Sequence, residues 1–275
     1  MDSALAEPLS AQQKVILGML LALAGAAWVA LVWQGQSAEM NTAMDALTMG
    51  LSAPLFLAIW VLMMVAMMFP AAAPMILAFH KVQADRGESG GAFVSTLVFV
   101  AGYLLVWTLA GIAAYSGTLA AEMIAVGAAL SREAEARIGG IVLVAAGFYQ
   151  LTPLKEGCLS KCRTPIVFVA KSWRDGVSGA LHMGLLHGAY CLGCCWLLFV
   201  ILFPLGLMNI FVMAIITLVV LAEKTIPWPR AVSVVVAGTL AFYGAIVIVG
   251  PEILPTFSPC DVAMPAHMPT PNRPD

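Results

Sequence analysis

Residues 177–203 read VSGALHMGLLHGAYCLGCCWLLFVILF. The stretch contains no Asp, Glu, Lys or Arg and exceeds the roughly 20 residues that an α-helix needs to cross a bilayer. It therefore predicts a membrane helix. Yet within it His187, Cys191, Cys194 and Cys195 crowd together, four groups whose shared chemistry is binding a soft metal ion.

The rest of the chain agrees with a membrane setting. Its 275 residues are 61% hydrophobic and 10% charged, with a mean hydropathy of +0.95, which excludes an ordinary soluble domain and predicts an all-α polytopic membrane helix bundle. Apolar windows predict about seven transmembrane helices, at 15–33, 55–79, 93–115, 137–152, 177–203, 206–223 and 231–250. The fourth and sixth are the shortest, and an amphipathic stretch near 118–135 is expected at the membrane surface. With a cytoplasmic N-terminus, ten Lys and Arg residues fall on inner segments and three, Arg132, Arg137 and Arg273, on outer ones. The positive-inside rule then puts the C-terminus outside, as in a multi-pass protein of a bacterial inner membrane. The leader carries Asp2 and Glu7 beside Lys14 and shows no small-residue cleavage site, so the first helix is expected to stay attached. Residues 1–250 form the predicted bundle and 251–275 an external, flexible tail rich in Pro and Met. A net charge of −2 without a basic block gives no indication of nucleic acid.

Helical geometry sorts the 177–203 segment. At 100° per residue, Met183, Cys194, Cys191 and Cys195 fall at about −40°, −20°, +40° and +80° from His187, so all five share a face while Trp196 points away. From Met183 to Cys195 the stripe climbs about 18 Å, too far for one ion, so a partner element must close the site. The second span is the expected partner. Its WVLMMVAMMFPAAAPM places Met63 with Met67 and Met64 with Met68 at i,i+4, followed by Pro70 and Pro74, and Met68 lies at the depth of His187 counting from the inner ends. The prolines are expected to bend this helix, the freed carbonyls being satisfied by the protein interior. Thiol, thioether and imidazole donors favour Cu(I), with Zn(II) second, and no Asp or Glu in mid-span invites a hard ion or a proton relay. The rival explanation is packing, since cysteine and Gly184, Gly188 and Gly193 suit a close helix interface.

Two further groups carry potential ligands. Cys158 and Cys162 lie in the predicted inner loop 152–176 at C-x3-C spacing, able to share a helical face or a loop edge, beside Lys155, Lys161 and Arg163, whose charge would favour thiolate. The tail holds Cys260, Met264, His267 and Met268, exposed soft donors suited to passing Cu(I) onward outside. Glu223 and Lys224 are expected to form an interfacial pair.

The segments MMVAMMFPAAAPM, YQLTPLKEGCLSKCR, YCLGCCW followed by GLMN, and Glu223–Lys224 together resemble the bacterial family of predicted metal-binding integral membrane proteins of unknown function. One branch of that family is linked to copper supply for a tyrosinase. The resemblance covers roughly residues 50 to 225. It implies metal handling, suggests copper, and carries over Met63, Met64, Met67, Met68, Cys158, Cys162, Cys191, Cys194 and Cys195. The first helix and the 260–268 tail lie outside it.

The expected function is copper handling: binding Cu(I) and delivering or moving it, as chaperone or permease, for an extracytoplasmic cuproenzyme or a periplasmic copper protein. Copper ion, membrane lipid and that client are the expected partners. No nucleotide motif and no nucleophile–base pair indicates an enzyme. The alternatives are a membrane thiol-disulfide oxidoreductase using Cys191, Cys194 and Cys195, and an assembly factor in which the cysteines only pack.

Overall fold

The computed structural model describes residues 9–39, 51–86 and 91–255, and every regular element among them is helical. In chain order these are α1 (Ala11–Glu39), α2 (Ala53–Asp85), α3 (Ala92–Gly127), α4 (Arg132–Tyr149), α5 (Pro153–Arg163), α6 (Pro165–Ser172), α7 (Gly176–Val200), α8 (Leu202–Leu205), α9 (Ile210–Thr225) and α10 (Pro229–Val249), followed by a 3-10 turn at Pro251–Ile253. An all-helical fold is one of the two solutions compatible with a bilayer, because a helix satisfies its backbone groups internally.

Five of these helices, with α7 and α8 taken together, are long and apolar enough to cross a membrane; α4 and α5, bent 63° against each other, add a sixth if they count as one span. The seventh expected segment is α9. Its 16 residues extend about 24 Å, short of a hydrocarbon core of roughly 30 Å. The stretch near 118–135 holds the end of α3, which runs on to Gly127, and the start of α4, where the Ser131 side chain accepts from Ala134 N. The predicted inner loop 152–176 is mostly helical, restarted at α5 by Thr152, which accepts from Lys155 N, and by Pro153 at the first turn.

Glycine contacts set the two closest helix interfaces. A Cβ on Gly184 of α7 would run into the Phe99 carbonyl of α3, and one on Gly102 would stand 2.7 Å from the Leu181 carbonyl, so α3 and α7 lie side by side in parallel. Gly140 and Gly244 bring α4 and α10 together in the same way, each facing the other's carbonyl. α2 packs on α1 and α3, antiparallel to α3, with Phe79 stacked on Phe99 at 4.7 Å and Phe56 against Tyr115 at 5.2 Å.

Pro70 and Pro74 sit within α2 without ending it. Pro70 has no N–H to offer the carbonyl of Ala66, four residues earlier, and the Trp28 indole of α1 donates to that carbonyl at 3.1 Å. The expected interior partner for a proline-freed carbonyl is thus a named one. At the other end, Pro251 and Leu254 are buried, and the turn they bound packs on α4 and α10, so the bundle continues past residue 250.

Candidate metal centre

The stripe expected on α7 is buried as a unit. Met183, His187, Cys191, Cys194 and Cys195 are each no more than 2% exposed, whereas Trp196 is 42% exposed. The element closing on its cysteine end is α5, not α2. α5 comes so near that a Cβ on Gly193 would stand 2.8 Å from the Cys158 sulfur. One turn further along α5, Cys162 is buried close to Cys191 and Cys194 of α7. The i,i+4 spacing on α5 and the i,i+3 and i,i+4 spacings on α7 therefore gather five free thiols where two helices cross.

This corrects the separation of an inner-loop station from an intramembrane one. α5 meets α7 at Gly193, seventeen residues and about 26 Å along from Gly176, so the C-x3-C pair and the α7 cysteines form one locus. The tyrosine that ends α4 fixes this approach, with the Tyr149 hydroxyl donating to the Gly193 carbonyl and its ring edge-on to Trp196 at 5.7 Å.

Cys191 is the hub. Its sulfur accepts from Lys224 Nζ at 3.1 Å and lies 3.2 Å from the Tyr103 hydroxyl, while the Cys194 and Cys195 thiols both donate to its backbone carbonyl, at 3.1 and 2.8 Å. Those two sulfurs are consequently turned onto a carbonyl rather than toward one another. Among the described residues no three His, Cys, Asp or Glu side chains are already aimed at a single point in the way an ion needs.

The basic residues of α5 do not serve the thiols as expected. Lys155 is buried and paired with Glu223 at 2.6 Å; Glu223 also accepts from Ser233 at 3.2 Å, and Arg163 donates to the Glu223 backbone carbonyl at 2.5 Å. Lys161 is exposed. Glu223 and Lys224 are accordingly not each other's partners. One latches α5 to α9, and the other reaches the sulfur hub.

His187, 1% exposed, lies between Phe99 and Tyr103, stacked on them at 6.0 and 5.4 Å with the Phe168 ring edge-on at 5.8 Å. Neither ring nitrogen has a hydrogen-bond partner. A buried imidazole so placed keeps its full capacity for a ligand. Met63, Met64, Met67 and Met68 are wholly buried, and α2 meets α7 at Trp60, whose ring lies 6.5 Å from that of Phe199. Counting inward from that contact at about 1.5 Å per residue puts Met64 and Met68 near the depths of Cys195 and Cys191. Cys260, Met264, His267 and Met268 lie outside the described residues.

Tyr103 and the role of Lys224 escaped the sequence reading. Tyr103 sits on a largely apolar helix with no local signal, and Lys224 reads in the sequence as the interfacial partner of Glu223.

A family model described as "PpoB2: Copper chaperone" matches residues 57–247, more than half of the chain, and spans all five thiols, the four methionines, His187, Tyr103 and Lys224. No curated protein and no solved structure matches.

Proposed function

The chain belongs to the PpoB2 copper chaperone family, and from that premise we propose that it takes up Cu(I) at the α5–α7 thiol cluster and hands it to an extracytoplasmic cuproenzyme. Cys162, Cys191 and Cys194 are the principal ligands, with Cys158 and Cys195 one turn away to receive or relay the ion. Soft sulfur donors without a carboxylate select Cu(I) ahead of Zn(II). His187 and the Met63–Met68 group lie next in the interior, and thioether and imidazole donors there would let an ion move by ligand exchange. In this reading the bundle spans a bacterial inner membrane with its N-terminus inside, α9 crosses as a seventh, short span, and Cys260, Met264, His267 and Met268 release copper outside. The protein performs no bond-making reaction of its own; copper is cargo.

The observation that carries the reading is the packing of α5 on α7, which sets the Cys158 sulfur against Gly193 and buries Cys162 with the α7 cysteines. Thiols that only filled space would not need to be brought together from separate elements. The test is copper content and Cu(I) affinity of anaerobically purified protein in detergent, beside a Cys191→Ser, Cys194→Ser, Cys195→Ser variant. About one or more Cu(I) per chain, lost in the variant, is the expected result. Copper-free wild type that instead cycles between thiol and disulfide would replace it with the oxidoreductase alternative.

A further inference from the structure

The charge inventory around the thiols is uneven. Lys155 and Glu223 cancel each other in a buried pair, and no mid-span carboxylate stands near. Lys224 is left over. Its Nζ, 3.1 Å from Cys191 Sγ, has no carboxylate with it among the described residues, because the neighbouring Glu223 is committed to Lys155 and Ser233. The ammonium therefore sits where a bound cation would sit, on the sulfur of the residue whose carbonyl takes the Cys194 and Cys195 thiols.

Resting on the reading of the thiols as a Cu(I) site, we propose that Lys224 is its specificity-determining residue: a resident cation on Cys191 that an incoming monovalent ion displaces and that penalises divalent ions. The physical reason is Coulombic. The displaced ammonium stays tethered a few ångströms from the ion and, in a medium much less polarisable than water, opposes a divalent ion about twice as strongly as a monovalent one. Binding to two cysteines releases their remaining thiol protons to solvent, and the two thiolates balance one Cu(I) plus the nearby Lys224 ammonium, giving a neutral buried assembly. A divalent ion held by the same two thiolates leaves one net positive charge in the protein interior, which is costly. Lys224 hangs at the last turn of α9, one residue before its end at Thr225, so its flexible stem can swing the ammonium off the sulfur without disturbing the Glu223 latch.

The experiment titrates anaerobic protein in detergent with Cu(I), with Ag(I) as a redox-inert monovalent probe, and with Zn(II), each against a chromogenic competitor. Wild type, Lys224→Leu and Lys224→Arg are compared. The expected result is that Lys224→Leu, which removes the charge without adding a ligand, lowers the preference for Cu(I) and Ag(I) over Zn(II) by about tenfold or more, while Lys224→Arg, which keeps the charge, retains it. An unchanged preference in Lys224→Leu overturns the proposal, and so does its loss in Lys224→Arg. A second measurement uses wild type alone, so that a variant that fails to fold does not decide the matter: acylation of Lys224 by an amine-reactive ester, read by mass spectrometry with and without Ag(I). Faster labelling with Ag(I) supports displacement, and an unaltered rate overturns it. Wild type that binds neither Cu(I) nor Ag(I) overturns the metal site itself, and the role of Lys224 with it.

Discussion

The Lys155 ammonium and the Glu223 carboxylate lie 2.6 Å apart, both almost wholly buried, and this pair fastens the start of α5 to the end of α9. Arg163, at the far end of α5, donates to the Glu223 backbone carbonyl, so a single residue of α9 holds both ends of the helix that brings Cys158 and Cys162 to α7. Glu223→Gln leaves Lys155 buried without a counter-charge and should cost about 3–5 kcal/mol, read as a lower unfolding midpoint in detergent, with faster alkylation of Cys162. Replacing both partners, Lys155→Met with Glu223→Leu, should recover most of that loss. Equal losses in the single and double variants would show that the pair is not what secures α5.

If the thiols of α5 and α7 act on one ion, their contributions must be coupled. Cys162→Ser and Cys191→Ser should each lower Cu(I) affinity by about tenfold or more, and the double variant should lose clearly less than the sum, since the first substitution already dismantles the site. Strictly additive losses in a double-mutant cycle would mean two separate stations.

Gly193 permits the approach of α5. A methyl group there would meet the Cys158 sulfur at 2.8 Å, so Gly193→Ala should destabilise the protein by about 1–3 kcal/mol and weaken Cu(I) binding by pushing α5 outward. Gly157→Ala is the internal control: it lies in the middle of α5 with nothing within 4 Å of its would-be Cβ, and helix propensity alone predicts a gain of about 0.5–1 kcal/mol. Thermal unfolding of the two variants side by side checks the sign of each.

His187 offers two unpartnered ring nitrogens to a stack of aromatic rings. His187→Phe removes both polar atoms while keeping a ring, so the ion-free protein should be as stable as wild type or more so, whereas Cu(I) affinity should fall. A drop in stability comparable to a lost buried hydrogen bond, about 1–3 kcal/mol, would reveal a partner for the imidazole in the ion-free state.

The parts of this site that the sequence discloses are those governed by a single helix. The 100° step places His187, Cys191, Cys194 and Cys195 on one face, and their joint burial with Trp196 outside follows directly. The approach of α5 does not follow, because nothing local to Cys158 and Cys162 says that a 63° bend after Tyr149 will turn a basic loop-like segment into a helix lying on Gly193. The paired methionines of α2 and their matching depth favour it as the partner of α7, but Gly184 and Gly188 set α7 directly against α3. Adjacent charges were equally misleading. Glu223 and Lys224 read as a pair in the chain, but successive helical positions point about 100° apart and find different partners.

Trp28 lies on α1, outside residues 57–247, yet its indole closes the Ala66 carbonyl that Pro70 leaves open inside them. The shared core is therefore not self-sufficient. A truncated chain beginning at α2 would present a bare acceptor in the middle of the bundle, to be quenched by water, by a lipid-borne donor or by a neighbouring subunit. The border drawn by kinship and the border of the folding unit thus differ by one helix, and a transplant of the core into another scaffold has to bring α1 with it.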